Sequence, residues 1–514
     1  MMQIENRDRL AIKSGIIFLL LAHLYRWTNA MFNHDSLMVY QIDWGWQISL
    51  GRIWVPLYAY LRGRIVSPVL CAACGSIFLL AAMIIIVRLL DLHRHSSVIL
   101  LCGLLATHET LAFLNASFLF VYDPDMLALL FCVLAAYFTQ AEKIRFHWLA
   151  SIICMAAGLG LYQSYIEVTL VLIQILILKR LIEGEKTGSL WAYGLRCIGA
   201  VFAGALLYLL CLAVTVNITE SQLSNDYNSL LQMKSLVSTD LISLLWKTWM
   251  QAFSYLLSPE AIHRTISAFL NACLGLAAAG LLVSHALKEK WGRAQYLLAL
   301  FLMIVLPLSM NVSYLLSGGL KHGLMTYSYV LYFVMIIMIM DHTGSVSGGT
   351  VKKVKTGMSL MLSVLIFNHI SFSNALYVKK GLEYDATLSL MTRLVTQMES
   401  TEGYEVGKTP VVILGVMGES PLYRERPGFR FVNDTWAGDA HHFGISYYET
   451  YTSEFTYILG YPINLLPEEN TKKYMSMDEV IQMPVFPYEG SVKIVEDTLV
   501  IKLSEDMRTE KQRY

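Results

Sequence analysis

Asp35, Glu109, Asp123, Asp125 and Glu167 are acidic side chains set beside or inside long apolar runs. An ionisable group in such surroundings must be paired or face a polar cavity. Asp35 precedes Leu37, Tyr40, Trp44 and Ile48, which fall at helical spacing. It is placed to be a helix N-cap, accepting from the free first-turn N–H groups. A carboxylate at the lip of a membrane cavity can instead take the proton of an attacking hydroxyl. Asp123-Pro124-Asp125 has the same two readings, a turn at a helix start or a second carboxylate facing the same site. Cations collect nearby in sequence: Arg52, Arg62 and Arg64, and farther on Lys321 and His322 after a Ser-Gly-Gly loop. Together they could hold a lipid phosphate; singly, each could snorkel to headgroups. Gln163, Ser164 and Tyr165 offer hydrogen-bonding groups suited to a sugar, and Glu109 and Glu167, within or at the edge of apolar spans, face a polar cavity or join helices.

These residues need a scaffold, and composition says which kind. The chain has 514 residues, 55% apolar and 15% charged, with a mean hydropathy of +0.51, far from soluble averages. It reads as an integral membrane protein in a lipid bilayer. Zero formal net charge gives no reason to expect a nucleic-acid partner. All eight cysteines fall in apolar stretches, as small core residues do. Cys71 and Cys74 form a lone C-x-x-C without the second pair or histidines a zinc site needs.

About 20 apolar residues cross a bilayer as a helix, and eleven such segments can be placed, near 11–31, 66–90, 97–118, 124–140, 147–162, 165–182, 195–216, 265–286, 294–315, 323–341 and 355–375. The first reads as a retained signal anchor. With the N-terminus inside, each inner connection is basic, from Arg7, Arg9 and Lys13 to Lys352, Lys353 and Lys355, as the positive-inside rule requires. An odd span count then puts the C-terminal region outside. The expected fold is mainly α: a polytopic transmembrane helix bundle of residues 1–376 with a small extracytoplasmic α/β domain of residues 377–514. In that domain PVVILGV (410–416) reads as a buried strand, residues 491–504 as a hairpin around Asp497, and residues 381–400 as an amphipathic helix. The tail EDMRTEKQRY is charged and expected to fray. Tyr447, Tyr448 and Tyr451 could stack on sugars, but packing is the expected role. Residues 32–64 form the first outer loop, read as an interfacial helix carrying Trp44 and Trp46 and ending near Gly51. No internal repeat is visible, which argues against an inverted-repeat transporter.

Asp35, the GRIW of 51–54, the SPVL of 67–70, the DPD of 123–125 and the LYQS of 161–164, in that order on a many-span chain, resemble the serotype-converting membrane glucosyltransferases that modify bacterial O-antigen. The resemblance spans roughly residues 15–375, and departs from the pattern at Ser36, where a second acid is expected after Asp35. It implies a GT-C fold in the bacterial inner membrane. The implied reaction transfers a hexose, glucose by preference, from a polyprenyl-phosphate donor to an extracytoplasmic glycan acceptor with inversion. The absence of a Gly-rich phosphate loop agrees. In that scheme Asp35 is the base and Asp125 orients acceptor or base. Arg52, then Arg62, Arg64, Lys321 and His322, meet the donor phosphate, and Asp123, Gln163, Tyr165 and Glu167 line the sugar pocket. No cofactor is required, although Asp35 and Asp125 could hold a divalent cation. A lipid-linked-glycan flippase or a non-catalytic assembly subunit is the alternative.

Overall fold

The computed structural model describes residues 6–38, 44–64, 66–224, 240–317, 319, 322–343, 349–422 and 444–513. They divide into two compact units. The first comprises residues up to 27, 44–115 and 119–373, and the second residues 28–43, 116–118 and 374–514.

The first unit is helical. Its elements are α1 (Asn6–Thr28, the last residue belonging to the other unit), then α3 (Trp46–Ser49), α4 (Val55–Arg62), α5 (Pro68–Leu89), α6 (His95–Thr107), α7 (Glu109–Ser117), α8 (Tyr122–Phe138), α9 (His147–Leu161), α10 (Ile166–Ile182) and α11 (Thr187–Thr219). These are followed by α12 (Leu241–Leu257), α13 (Arg264–Lys288), α14 (Arg293–Ser309), α15 (Val312–Leu316), α16 (Val330–His342) and the start of α17 (Gly349–Ser400). The short α2 (His34–Met38) belongs to the second unit. Local chemistry sets several boundaries. Ser67 caps α5 by accepting from the Leu70 N–H, and Pro68 takes the first helical position, where its missing N–H is not needed. Gly63 stops α4 in the left-handed region at φ 97°, a conformation that spares glycine the Cβ clash.

Among the described residues, eight helical stretches are long and apolar enough to cross a membrane. The α9 and α14 helices are apolar but shorter, and α10 has 17 residues with Glu167, Lys179 and Arg180 among them. The expected eleven spans are therefore met by eight on length and composition. The central stretch, His95–Ser117, is almost wholly buried, whereas α11 and α13 leave most of their surface outward. Ile198, Phe202 and Leu210 are among the exposed apolar residues of α11, the pattern of a face that meets lipid rather than water. Helices α8 and α9 meet closely: a Cβ on Gly158 would lie 2.7 Å from Cys132 Sγ, so only glycine fits there.

The second unit is α/β. Its described sheet has the order β2 (Asn464–Leu465), β1 (Pro410–Leu414), β4 (Thr498–Lys502), β3 (Val492–Val495). β1 runs parallel to both neighbours, with Val411 opposite Leu499 and Ile413 opposite Ile501. β3 and β4 form the expected antiparallel hairpin, with Glu496 and Asp497 both at positive φ in its turn. Leu390, Leu394 and Met398 of α17 pack with Val411, Ile413 and Ile501. Val412, Leu414 and Val500 pack with Tyr474 and Val480. Burial of alternate residues into two different cores explains why β1 reads as an unbroken apolar run.

Four expectations change. The last span and the amphipathic helix are one continuous α17 of 52 residues, because no proline interrupts residues 376–381 and the single Gly381 costs a helix only about 1 kcal/mol. A further helix, α12, lies within the 217–264 connection and is capped by Asp240 at the Ile242 N–H. The first-loop helix does not run through Trp44: Trp44 and Gly45 form a turn before α3, and residues 39–43 lie outside the described residues. The tail is packed rather than frayed, with Glu510 buried and Arg513 paired with Glu419 at 2.5 Å.

Candidate functional site

In the first unit the polar residues converge where α3 and α4 meet α8, α9 and α10. Gly51, at φ 80°, ends α3 with its N–H on Ile48 O at 2.8 Å, and the Arg52 N–H reaches back to Gln47 O at 2.9 Å. Gln163 then fixes this turn, donating to Leu50 O at 3.1 Å and to the Tyr208 hydroxyl at 3.0 Å. Tyr208 donates onward to Gly51 O at 2.9 Å. The Trp54 N–H bonds Gly160 O at 3.0 Å, docking the start of α4 on the end of α9. Arg52 is thereby held half-buried, 4.8 Å from the Tyr162 ring centroid, with one donor on Gln47 Oε1 at 3.4 Å. Its buried Nε has no hydrogen-bond partner among the described residues.

The two aspartates of the DPD sequence have different surroundings. Asp123 is fully buried and paired with Arg62, and it also accepts from the Tyr58 hydroxyl at 2.8 Å. Arg62 further donates to Phe120 O at 3.3 Å, with Trp44 stacked 5.6 Å away. Burial, then the Asp123 charge, pushes the Tyr58 hydroxyl well above its ordinary range. Burial works against the Arg62 charge, but the carboxylate beside it holds the guanidinium above its usual value. Asp125 is equally buried, yet its Oδ1 has no hydrogen-bond partner among the described residues. It lies within electrostatic reach of Arg52 and of Tyr162 and Tyr165. A dry carboxylate with an open oxygen beside a cation with an open donor is arranged to meet a polar ligand.

Other expected site residues are occupied within the bundle. Glu167 accepts from the Ser313 N–H at 2.6 Å, from the Ser313 hydroxyl at 2.5 Å and from the Ser328 hydroxyl at 2.8 Å, joining α10 to α15 and to the 323–329 turn. Tyr165 is buried edge-to-face against Tyr162 at 5.2 Å and Tyr327 at 6.1 Å. His322 accepts from the Leu324 N–H at 3.4 Å, capping that turn. Arg64 is exposed and lies over the Tyr60 ring. Lys321 lies outside the described residues. Glu109 follows the break at His108, whose Nε2 meets the Tyr255 hydroxyl at 3.0 Å.

Asp35 belongs to the second unit and is not the cap of its helix. Asn33 is: its Oδ1 accepts from the Ser36 N–H at 3.3 Å, while Ser36 Oγ accepts from the Asn33 N–H at 2.8 Å, a reciprocal capping box. Asp35 pairs with His34 at 3.0 Å, and the His34 ring stacks on Tyr447 at 4.0 Å. Tyr448 and Tyr451 are core residues of that unit.

Sequence reasoning passed over Tyr58, Tyr162 and Tyr208. Tyr162 lies inside the LYQS run, which marks it; Tyr208 is one of two tyrosines in the apolar α11, with nothing in its neighbours to mark it.

Eight membrane-length apolar helices among the described residues define the class: a helical, multi-pass membrane protein. The family model for glucosyl transferase GtrII matches residues 24–340, more than half of the chain, and the protein belongs to that family. The curated proteins and the solved structures compared with the chain contain no match.

Proposed function

We propose that the protein is a GT-C-type glucosyltransferase of the bacterial inner membrane, N-terminus inside and C-terminal unit outside. It moves glucose from a polyprenyl-phosphate donor to an extracytoplasmic glycan of the O-antigen kind. Family membership supports the glucosyl transfer. The observation that carries the site is Asp125, buried with an open oxygen and within reach of Arg52. Asp125 accepts the acceptor hydroxyl's proton as its oxygen attacks the anomeric carbon, and the bond from that carbon to the phosphate oxygen breaks with inversion. The leaving group departs as a polyprenyl phosphate monoester, and Arg52 stabilises the charge it gains. Gln163 and Tyr208 keep Arg52 in place through the Leu50–Gly51 carbonyls. An apolar cavity of about 390 Å³, lined by Leu256, Gly275, Met303, Tyr332 and Ile336 among others, has the chemistry to take an isoprenyl chain.

A second reading gives the base to Asp35. The Asn33 cap leaves Asp35 without a capping duty, and its partner His34 could relay a proton. Nanodisc-embedded protein with radiolabelled polyprenyl-phosphate glucose separates the two. Asp125→Asn should cut transfer by about 10²- to 10⁴-fold, the usual worth of a general base, with donor binding retained. Full activity in Asp125→Asn together with loss in Asp35→Asn would transfer the role. A labelled donor that crosses the bilayer with no new glycosidic bond would mean a flippase.

A further inference from the structure

We propose that His93, Asp341 and His342 form a binding site for a first-row divalent cation, zinc by ligand preference, separate from Asp125 and Arg52. One ligand atom from each of the three lies within 4.8 Å of the others, where the α5–α6 connection meets the end of α16. The surroundings of the His342 ring are arranged for a cation. His342 Nε2 faces Leu90 O at 2.8 Å and its Nδ1 faces Glu183 Oε1 at 3.3 Å, so both ring nitrogens meet oxygen acceptors. A neutral imidazole has one N–H to give, and the second contact needs either an added proton or a cation. His93 Nδ1 lies 3.2 Å from Asp341 Oδ2, while its Nε2 stands 3.6 Å from Asp91 Oδ2, beyond hydrogen-bond length.

With Nε2–H given to Leu90, His342 carries its lone pair on Nδ1. Donation of the other ring N–H to a backbone carbonyl is the usual support of a metal-bound histidine. Asp341 is a prepared ligand: it is buried and anchored by the His93 N–H at 2.7 Å and the Ser97 hydroxyl at 2.6 Å. The His93 side chain is 62% exposed, so an ion has access and the ring can turn to shorten the remaining distance. Zn–N bonds of about 2.0–2.1 Å in tetrahedral geometry leave a fourth position for water. Two imidazoles with one carboxylate favour zinc over magnesium or calcium, which take oxygen ligands. Glu183, paired with Lys179 at 3.0 Å, keeps its Oε1 3.3 Å from the same ring nitrogen and so stands beside the ion, balancing its charge. A bound ion would join the α5–α6 connection to α16 through these ligands.

The test uses full-length protein in nanodiscs, with an affinity tag free of histidine. After chelator treatment and dialysis against micromolar Zn²⁺, elemental analysis should find about one zinc per chain. Co²⁺ in its place should show ligand-field absorption of a tetrahedral site. His93→Ala, at an exposed position, should weaken binding by at least about 10- to 100-fold while the elution profile and metal-free melting stay as in wild type. His342→Ala should do the same, and if it fails to fold, His93→Gln replaces it. Wild-type protein that retains no zinc, or His93→Ala binding as well as wild type, overturns the proposal.

Discussion

Replacing Asp123 by Asn keeps its size and an acceptor for Tyr58, but removes the charge that Arg62 faces. The Arg62 and Asp123 side chains are 3% and 0% exposed, so the guanidinium left behind cannot recover its loss by hydration. Breaking a buried pair from one side costs about 3–5 kcal/mol, whereas replacing both partners by apolar residues of similar size is close to neutral. Asp123→Asn and Arg62→Met should therefore each lose about 3–5 kcal/mol. The double variant Arg62→Met/Asp123→Leu should lose only about 1–3 kcal/mol, the cost of the Tyr58 hydroxyl left without its acceptor. Adding Tyr58→Phe should recover most of that remainder. Equilibrium unfolding in mixed micelles, followed by tryptophan fluorescence, measures all four. Single variants within about 0.5 kcal/mol of wild type, as for surface changes, would refute the clamp. So would a double variant whose loss equals the sum of the singles, since residues in contact should couple.

The second unit should respond to pH through Glu454, which is fully buried and accepts from the Ser446 hydroxyl. Burial pushes its carboxyl up from 4.5 to about 7, so the folded state holds the proton where the unfolded chain has released it. Its contribution is fully present below about pH 4.5 and is lost as pH rises through about 7, a change of about 3 kcal/mol by linkage. Glu454→Gln should flatten that dependence in urea titrations at pH 5 and 8, and an unchanged slope would count against it. At the α8–α9 contact, Gly158→Leu should cost at least about 1–3 kcal/mol through overpacking. Gly188→Leu, at a position with open space around its Cβ, is the matched control.

Hydropathy made the long helices legible because a lipid-facing or bundle-core span has to be apolar along its length. It was blind to α12, whose apolar residues are concentrated on one face, and to the continuity of α17. The β1 run and the β3–β4 hairpin could be read because their signals are local: an apolar stretch, and a turn at Glu496-Asp497. Capping was misread for a similar reason. Asp and Asn cap helices equally well, and what selects Asn33 is Ser36 three residues on to reciprocate. The site was half legible. Asp123 and Asp125 are indistinguishable by type, and what separates them is Arg62, 61 residues away in the chain. No spacing rule could report that contact.

The Arg62–Asp123–Tyr58 clamp bears on affinity as well as stability. A segment that orders only when a ligand arrives draws its ordering entropy from the binding free energy, about 0.5–1.5 kcal/mol for each immobilised side chain. Here Arg62 and Tyr58 are already fixed to α8 through Asp123, and the turn before Arg52 is tied down by Gln163 and Tyr208. Each such tie made in advance leaves roughly half to one decade more of intrinsic contact energy to appear as residence time of the lipid-linked donor we propose.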